Sequence, residues 1–395
     1  MRKSDDRLAV LANERNNMRA ARKNSGAAAV VLAAGMSQRM GTPKQLLGIA
    51  GKTVLEHTLE KVHESAVDEI VLVLGHAAGA VEKEISTKDI KIVRNDKYQQ
   101  GMGTSLRAGV AAVGPDAGAA LIVLADQPFV QAATLNKLIE HHQATNAQIV
   151  IPTFRGFRGN PVLLDRSIFP ELQELSGDVG CRAIFGSHTE NIRKLAVDDA
   201  GILLDIDSRD DFEKLKHAAY DSAAIIAHKS DLPPLESKEG LPAGAPELVV
   251  VGRDAVAQAL VKLGDLMKFT VTVVDPFLRI SELPEAARVL HALDFSLLPQ
   301  ADERYVVVAS RGQFDEEALE QASRADAAYV ALLANKKRAQ ELAASLRVQG
   351  VAEEKLGCIR APAGLEIGAQ SPEEIALSIM AEIVAVRRRV EVRQA

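Results

Sequence analysis

Ala28-Ala29-Val30-Val31-Leu32-Ala33-Ala34-Gly35-Met36-Ser37-Gln38-Arg39-Met40-Gly41-Thr42-Pro43-Lys44 is the stretch on which the reading of the whole chain turns. Its first five residues are apolar without alternation, as in a strand buried on both faces of a parallel sheet. The small residues Ala33-Ala34-Gly35 then let the backbone approach a ligand closely, and Gly35 is free to take a positive φ. Inward-turned N–H groups in such a loop form an anion nest, to which Ser37 adds a hydroxyl and Arg39 and Lys44 add fixed positive charge. A triphosphate suits these groups. The spacing is neither that of a Walker A loop nor Gly-x-Gly-x-x-Gly, so this is a phosphate loop of another kind.

Around it, short apolar runs alternate with segments of helical period. Ala28–Leu32, Glu69–Leu74, Ile90–Arg94, Ala120–Ala125 and Ala147–Ile151 read as strands, and Thr53–Ser65, Ser105–Val113 and Ala132–His142 as helices. Such alternation implies crossover connections and a mostly parallel sheet covered on both faces, an α/β fold. It breaks between His228 and Pro246, where proline and glycine gather. It restarts with strands Glu247–Val251, Thr270–Val274, Tyr305–Ala309 and Ala327–Leu333 and helices Asp254–Met267, Glu316–Ala322, Lys336–Arg347 and Pro372–Arg387. The expected organisation is a polar tail over 1–26, a first domain over 27–222, a Pro/Gly-rich linker over 223–246 and a second, Rossmann-like α/β domain over 247–395.

Bulk properties narrow the function. A formal charge of −6, 4% aromatic residues and no tryptophan give neither general attraction to phosphate polymers nor stacking platforms, so nucleic acid is not an expected partner. The two cysteines, Cys181 and Cys358, have neither metal-ligand spacing nor the look of a disulfide framework, which fits a reducing cytoplasm. No apolar run approaches the roughly 18 residues of a membrane span, and the start of the chain lacks a signal peptide's apolar centre.

Carboxylates supply the complement to the loop. Asp126-Gln127-Pro128 follows the apolar run Leu121–Ala125 directly, which puts Asp126 in the crevice where α/β sheets bind ligands and suits it to Mg²⁺. In Leu203-Leu204-Asp205-Ile206-Asp207-Ser208, read as another strand ending in acid, Asp207 is a second metal ligand or a cap for a helix over 209–216, and both roles stay open. Gly101-Met102-Gly103-Thr104-Ser105 is expected to pack on a base or ribose, with Gly103 and Ser105 as nucleotide-binding residues beside Leu32, Ala33, Ala34, Gly35 and Ser37. Arg158-Gly159-Asn160-Pro161 and Gly177–Arg182 are turn-rich; Arg158, Asn160, Asp178 and Arg182 could hold a second anionic substrate, and plain surface turns fit them equally. His141 and His142 read as solvated against a helix dipole.

In the second half, Gly252-Arg253-Asp254-Ala255-Val256-Ala257 stands where a dinucleotide-binding turn would, and Asp275 ends the next strand where a ribose-binding acid is expected. Asp254 occupies the second glycine position, and a carboxylate there would repel pyrophosphate, so another ligand than NAD is expected. Lys336, Lys337 and Arg338 hold an anionic cofactor or are a solvated helix start. Cys358 reads as a small buried residue near a strand end.

Taken in order, Leu32–Lys44, Gly101–Ser105, Asp126-Gln127-Pro128, Gly159-Asn160-Pro161, Gly177–Arg182 and Asp205–Ser208 resemble the molybdenum cofactor cytidylyltransferases, within the larger group of molybdopterin-guanine-dinucleotide-type nucleotidyltransferases. The resemblance implies CTP and molybdopterin-bound molybdenum as substrates, with molybdopterin cytosine dinucleotide and pyrophosphate as products. It gives the triphosphate to Gly35, Ser37, Arg39 and Lys44, the Mg²⁺ to Asp126 and Asp207, and the catalytic work to Arg39, Lys44 and Asp126. Ala34, in Leu-Ala-Ala-Gly, matches the form that accompanies CTP rather than GTP; Asn160 departs from the His that many relatives carry. The segments 309–319, 329–338 and 361–376 are similar to the C-terminal domain of the XdhC/CoxI family, which handles molybdenum cofactor for xanthine dehydrogenase-type and carbon monoxide dehydrogenase-type hydroxylases, and imply such an apoenzyme as partner. The expectation is a fused maturation enzyme. Its rivals are a cofactor-binding chaperone without transferase activity and a transferase acting on a sugar or alcohol phosphate.

Overall fold

The computed structural model describes residues 26–36, 43–175, 177, 180–206, 209, 212–213, 232–242 and 244–388. Four expected site residues, Ser37, Arg39, Asp178 and Asp207, lie outside the described residues, as does most of the helix expected over 209–216. The chain divides into two compact units, Met1–Phe154 with Gly159–Ser230, and Arg155–Arg158 with Asp231–Ala395. Among the described residues no helix is long and apolar enough to cross a membrane.

The first unit is built on β1 (Gly26–Ala33), β4 (Glu69–Leu74), β5 (Ile90–Arg94), β6 (Ala117–Leu124), β7 (Ile149–Phe154), β9 (Val162–Asp165) and β10 (Ile192–Ala196), with a small hairpin of β2 (Gly48–Ile49) and β3 (Lys52–Thr53). The two-residue strand β8 (Phe157–Arg158) is counted with the second unit. Strand order is β10-β7-β9-β6-β1-β4-β5, parallel except for β9, which runs antiparallel to β6 and β7. The apolar run of β1 has the purpose its lack of alternation implied. Ala29, Val31 and Ala33 enter a core with Leu55, Leu59, Leu72 and Leu121, while Ala28 and Val30 enter another with Val71, Val73, Leu106 and Val110. The helix Val54–His63 starts on a capping box, Thr53 Oγ1 accepting from Glu56 N (3.1 Å) and Glu56 Oε2 from Thr53 N (2.7 Å). The helix Met102–Ala112 lies hard against the sheet: a Cβ on Gly109 would fall 2.3 Å from Val30 Cγ1 and 2.8 Å from Val73 Cγ2.

The second unit holds β11 (Leu235–Ser237), β12 (Glu247–Val251), β13 (Thr270–Val274), β14 (Arg288–Leu290), β15 (Arg304–Val308), β16 (Tyr329–Leu332) and β17 (Ile359–Arg360) in the order β11-β14-β13-β12-β15-β16-β17. All are parallel but β11, which pairs antiparallel with β14, so the sheet is mixed. The sequence of crossovers, outward through β13 and β14 and then back to β15 and β16, is that of a Rossmann fold. Its last helix, Pro372–Arg387, opens on a Ser371/Glu374 capping box and buries Ala376, Ile379, Met380 and Ile383 in the core.

Four features depart from the sequence reading. The segment around Leu203–Ile206 is not a strand: Ala200–Leu203 forms a 3₁₀ turn capped by Asp199, and Leu204–Ile206 continues irregularly. Residues 235–237, inside the expected linker, pair as β11, with Leu232 buried just before them. Cys358 is exposed, because it ends the short helix Glu353–Gly357, of which only Leu356 is buried. His142 is not solvated: its side chain is 13% exposed and Nε2 lies 3.0 Å from Asp165 Oδ2, which the antiparallel β9 brings across.

Candidate active site

From β1 the chain crosses to β4 and β5 on one side of the first sheet and returns to β6 on the other, so β1 and β6 flank the switch point. Loops leaving the C-terminal ends of two such strands diverge and leave a crevice. A cavity of about 390 Å³ occupies it, lined by Leu32, Ala34, Gly35 and Met36, by Lys44 and Gln45, by residues 98–102 and Ser105, and by Leu124, Ala125 and Asp126.

Lys44 and Asp126, 82 residues apart, meet in this cavity with Nζ 2.5 Å from Oδ2. The ammonium is presented by the 3₁₀ turn Lys44–Leu46, in which Leu46 N donates to Pro43 O at 3.0 Å. Both side chains are mostly covered, 16% and 18% exposed, and among the described residues Asp126 Oδ1 has no hydrogen-bond donor. Asp126 is fixed from behind as well. Ile206 N donates to its carbonyl oxygen at 3.0 Å, which brings the acidic segment containing Asp205 beside it, and Thr58 Oγ1 donates to Ala125 O at 3.2 Å.

A buried carboxylate that the sequence reading passed over holds these pieces together. Asp199, 2% exposed, accepts from Gln131 N (2.9 Å), Thr134 Oγ1 (2.6 Å) and Gly201 N (2.9 Å), tying the chain after Asp126 to the turn that leads to Asp205. Burial pushes its carboxyl above the usual range despite these three donors. Across the cavity Asn95, also buried, donates to Thr104 Oγ1 (2.8 Å) and Ser105 Oγ (2.9 Å) and accepts from Lys97 N (2.9 Å), which fixes the first turn of the helix Met102–Ala112 against the end of β4.

Of the expected residues the cavity gathers Leu32, Ala34, Gly35, Lys44, Ser105 and Asp126. Ala33 and Gly103 stand just behind its wall, Ala33 accepting from Gln45 and Gly103 N donating to Gly177 O at 3.1 Å. The other expected contacts lie elsewhere. Arg158 is 7% exposed within the second unit, its Nε 3.1 Å from Glu317 Oε1. Asn160 N donates to Ile202 O at 3.1 Å, and Arg182 is exposed. Tyr98, Gln45, Met36 and Met102 were missed. Tyr98 had a visible signal, an aromatic residue three positions before the glycine turn at Gly101.

The second unit repeats the crevice between β12 and β15. Gly252 leaves β12 at φ +114°, and a Cβ there would fall 2.5 Å from Ala309 O, so only glycine fits. Asp254 then caps the helix Ala255–Leu266, Oδ1 accepting from Ala257 N at 2.8 Å, while Oδ2 accepts from Arg311 Nε at 2.6 Å. A carboxylate thus fills the helix N-terminus where a dinucleotide fold receives pyrophosphate. Asp275 Oδ1 is likewise occupied, by Phe277 N and Leu278 N at 2.9 and 2.8 Å. The glycine-bearing loop before the last helix is held by Glu382 Oε2, which accepts from Gly364 N (2.9 Å) and Tyr329 Oη (2.6 Å). Lys336 and Lys337 are solvent-exposed at a helix start capped by Asn335.

Comparison with known proteins agrees with this division. Residues 29–192 match the MobA-like NTP transferase domain and residues 248–383 the XdhC Rossmann domain. YqeB of Escherichia coli (strain K12) is 34% identical over 149 residues, 36% of this chain and 27% of that protein. Nicotine blue oxidoreductase of Paenarthrobacter nicotinovorans is 34% identical over 160 residues, 39% of this chain and 78% of that protein. The crystal structure of a homolog of Mycobacterium tuberculosis Rv0371c, from Mycobacterium sp. strain JC1, is 33% identical with a TM-score of 0.46 over 50% of this chain and 98% of its own. The chain spans only 27% of the length of the first curated relatives it matches, YqeB and a GlmU protein of Staphylococcus saprophyticus among them. Through its first domain the chain belongs to the MobA-like NTP transferases, and the second domain that it carries in the same polypeptide is an XdhC Rossmann domain.

Proposed function

We propose that the first domain transfers the cytidylyl group of CTP to the terminal phosphate of molybdopterin cofactor, releasing pyrophosphate, and that the second domain serves delivery of the product to a molybdenum hydroxylase apoenzyme. The observation that carries this reading is the Lys44–Asp126 pair facing the Ala34–Met36 loop in one crevice. In it, a cation and a carboxylate meet beside a glycine-bearing loop that lines a space large enough for a nucleotide. An arriving triphosphate draws the Lys44 ammonium from Asp126 onto its oxygens, and backbone N–H groups of the loop take the rest. Asp126, with the neighbouring acidic segment that ends at Asp207, would then hold Mg²⁺, whose charge offsets that of the phosphates and of the departing pyrophosphate. Ser37 and Arg39 complete the triphosphate contacts in this reading. An oxygen of the acceptor phosphate attacks the α-phosphorus in line; the new P–O bond forms as the bond to the β-phosphate oxygen breaks, and pyrophosphate leaves with the electron pair. The protein's own share is alignment and charge, so no covalent nucleophile is called for.

The choice of CTP follows Ala34 and the resemblance it carries. The test is incubation of the protein with molybdopterin cofactor, Mg²⁺ and either CTP or GTP, followed by detection of dinucleotide and pyrophosphate. Product from GTP alone overturns the base assignment, and product from neither overturns the transferase reading. The nicotine blue oxidoreductase relative supports a second reading, a reductase, which the same sample decides by oxidation of an added nicotinamide cofactor without pyrophosphate release.

A further inference from the structure

Gln45 is 2% exposed in the wall of the first unit's cavity. Its Nε2 donates to two carbonyls of the loop after β1, Ala33 O at 3.0 Å and Gly35 O at 3.4 Å, and the intervening Ala34 O accepts from His76 N at 3.3 Å. In a trans peptide the C=O of one residue and the N–H of the next point in opposite directions. Anchoring three successive carbonyls on protein donors therefore turns the N–H groups of Ala34, Gly35 and Met36 away from Gln45 and His76, and those three residues line the cavity. The other end of the Gln45 amide does nothing comparable: among the described residues Oε1 is buried without a hydrogen-bond partner. A stranded buried acceptor weakens a fold, so the amide at this position gives the fold less than its two donations alone would.

We propose that Gln45 is a positioning residue, one that aligns the Ala34–Met36 N–H groups as a cradle for the polyphosphate of the nucleotide. The proposal rests on the reading of this cavity as a triphosphate site. Lys44 precedes it on the same 3₁₀ turn, where successive side chains diverge by about 120°. One turn of chain thereby delivers the ammonium to Asp126 and the amide to the loop.

The test compares the full-length wild type with Gln45→Met, which keeps the length of the side chain and removes both the donations and the stranded oxygen. Titration calorimetry with Mg²⁺·CTP and with inorganic tripolyphosphate reads the cradle; the thermal midpoint reads the fold. Both ligands are expected to bind Gln45→Met about 10–100-fold more weakly, the scale of one or two aligned hydrogen bonds. Losing the stranded Oε1 offsets leaving Ala33 O without its donor, so the midpoint is expected to stay near the wild-type value, and KM for the nucleotide rises with kcat little changed. Gln45→Glu, which sets a carboxylate oxygen against the two carbonyls, is expected to lose affinity and stability together. Unchanged affinity in Gln45→Met overturns the proposal and leaves the transferase reading standing, as does a loss of affinity that merely follows a lowered midpoint. If the wild type binds neither ligand, the triphosphate reading falls and takes the proposal with it.

Discussion

Replacing Asp126 by Asn should move two measurements in opposite directions. The Lys44–Asp126 pair, at 2.5 Å with side chains 16% and 18% exposed, stands between two regimes. An exposed ion pair contributes at most about 1 kcal/mol, and removing one partner of a fully buried pair costs about 3–5 kcal/mol. An interaction of about 1–2 kcal/mol is consistent with the intermediate burial. A triphosphate has to displace that interaction before it can recruit the Lys44 ammonium. In Asp126→Asn the ion pair with Asp126 no longer has to be displaced, so inorganic tripolyphosphate without metal should bind about 5–30-fold more tightly, the same energy written as a ratio. Catalysis should go the other way, Mg²⁺-dependent pyrophosphate release falling by about 10²-fold or more, on the scale of losing a principal electrostatic stabiliser. Titration calorimetry in chelator, beside a coupled pyrophosphate assay on the same preparations, reads both. Metal-free affinity that is unchanged or reduced refutes the exchange of Lys44 between carboxylate and phosphate, and unchanged turnover removes Asp126 from the site.

Three further outcomes are expected. Gly252→Ala forces a side chain onto a backbone at φ +114° and a Cβ to within 2.5 Å of Ala309 O, so scanning calorimetry should show a loss of about 2–4 kcal/mol; an unchanged melt would mean that the close approach does not exist. Burial pushes the half-buried Cys181 thiol up to about 12 while Cys358 is exposed, so at pH 8 iodoacetamide should label one thiol per chain quickly and the second far more slowly, and two equal fast rates would contradict this. At Asp165 burial would raise the carboxyl pKa, yet donations from the Ser167 hydroxyl and N–H and from His142 outweigh it and hold it below the ordinary value of 3.8. A depressed acid stabilises the fold above its unfolded pKa and loses that contribution as pH falls through the folded one. The stability gap between wild type and Asp165→Asn should therefore be full at neutral pH and close below about pH 4, and a gap independent of pH would sink the assignment.

What could be read from the chain follows the physics of burial. Strands covered on both faces, such as Glu69–Leu74, Glu247–Val251 and Thr270–Val274, stand out as near-continuous apolar runs, and the structure gives them those same limits. The antiparallel β9 is only four residues long and follows Asn160-Pro161, while the edge strand β10 carries the exposed Arg193 and Lys194 on its two faces; neither makes a continuous run. In the cavity, Lys44 was legible as a cation of the loop that follows β1 and Asp126 as the acid that follows β6, but their meeting depends on the crossover that sets β1 beside β6. Gln45 and Asp199 were illegible for a different reason. A buried amide or carboxylate looks like a surface residue until its donors and acceptors are known, and those come from residues 10 to 12 positions away for Gln45 and up to 68 for Asp199. Asp254 was read as a source of repulsion; its partner Arg311, 57 residues on, turns it into a filled position.

Gly109 bears on the shape of the cavity although it touches none of it. The helix it belongs to carries Met102 and Ser105 into the wall, and the helix can rest on Val30 and Val73 only because one methyl group is missing. The bare Cα acts as a shim of zero thickness: thicken it to alanine and the helix must tilt or slide off β1 and β4, widening the mouth between Ser105 and Asp126. The bore of the cavity is thus adjustable from the far side of a helix, with every cavity-lining side chain left as it is, which makes this position a dial for the size of ligand admitted.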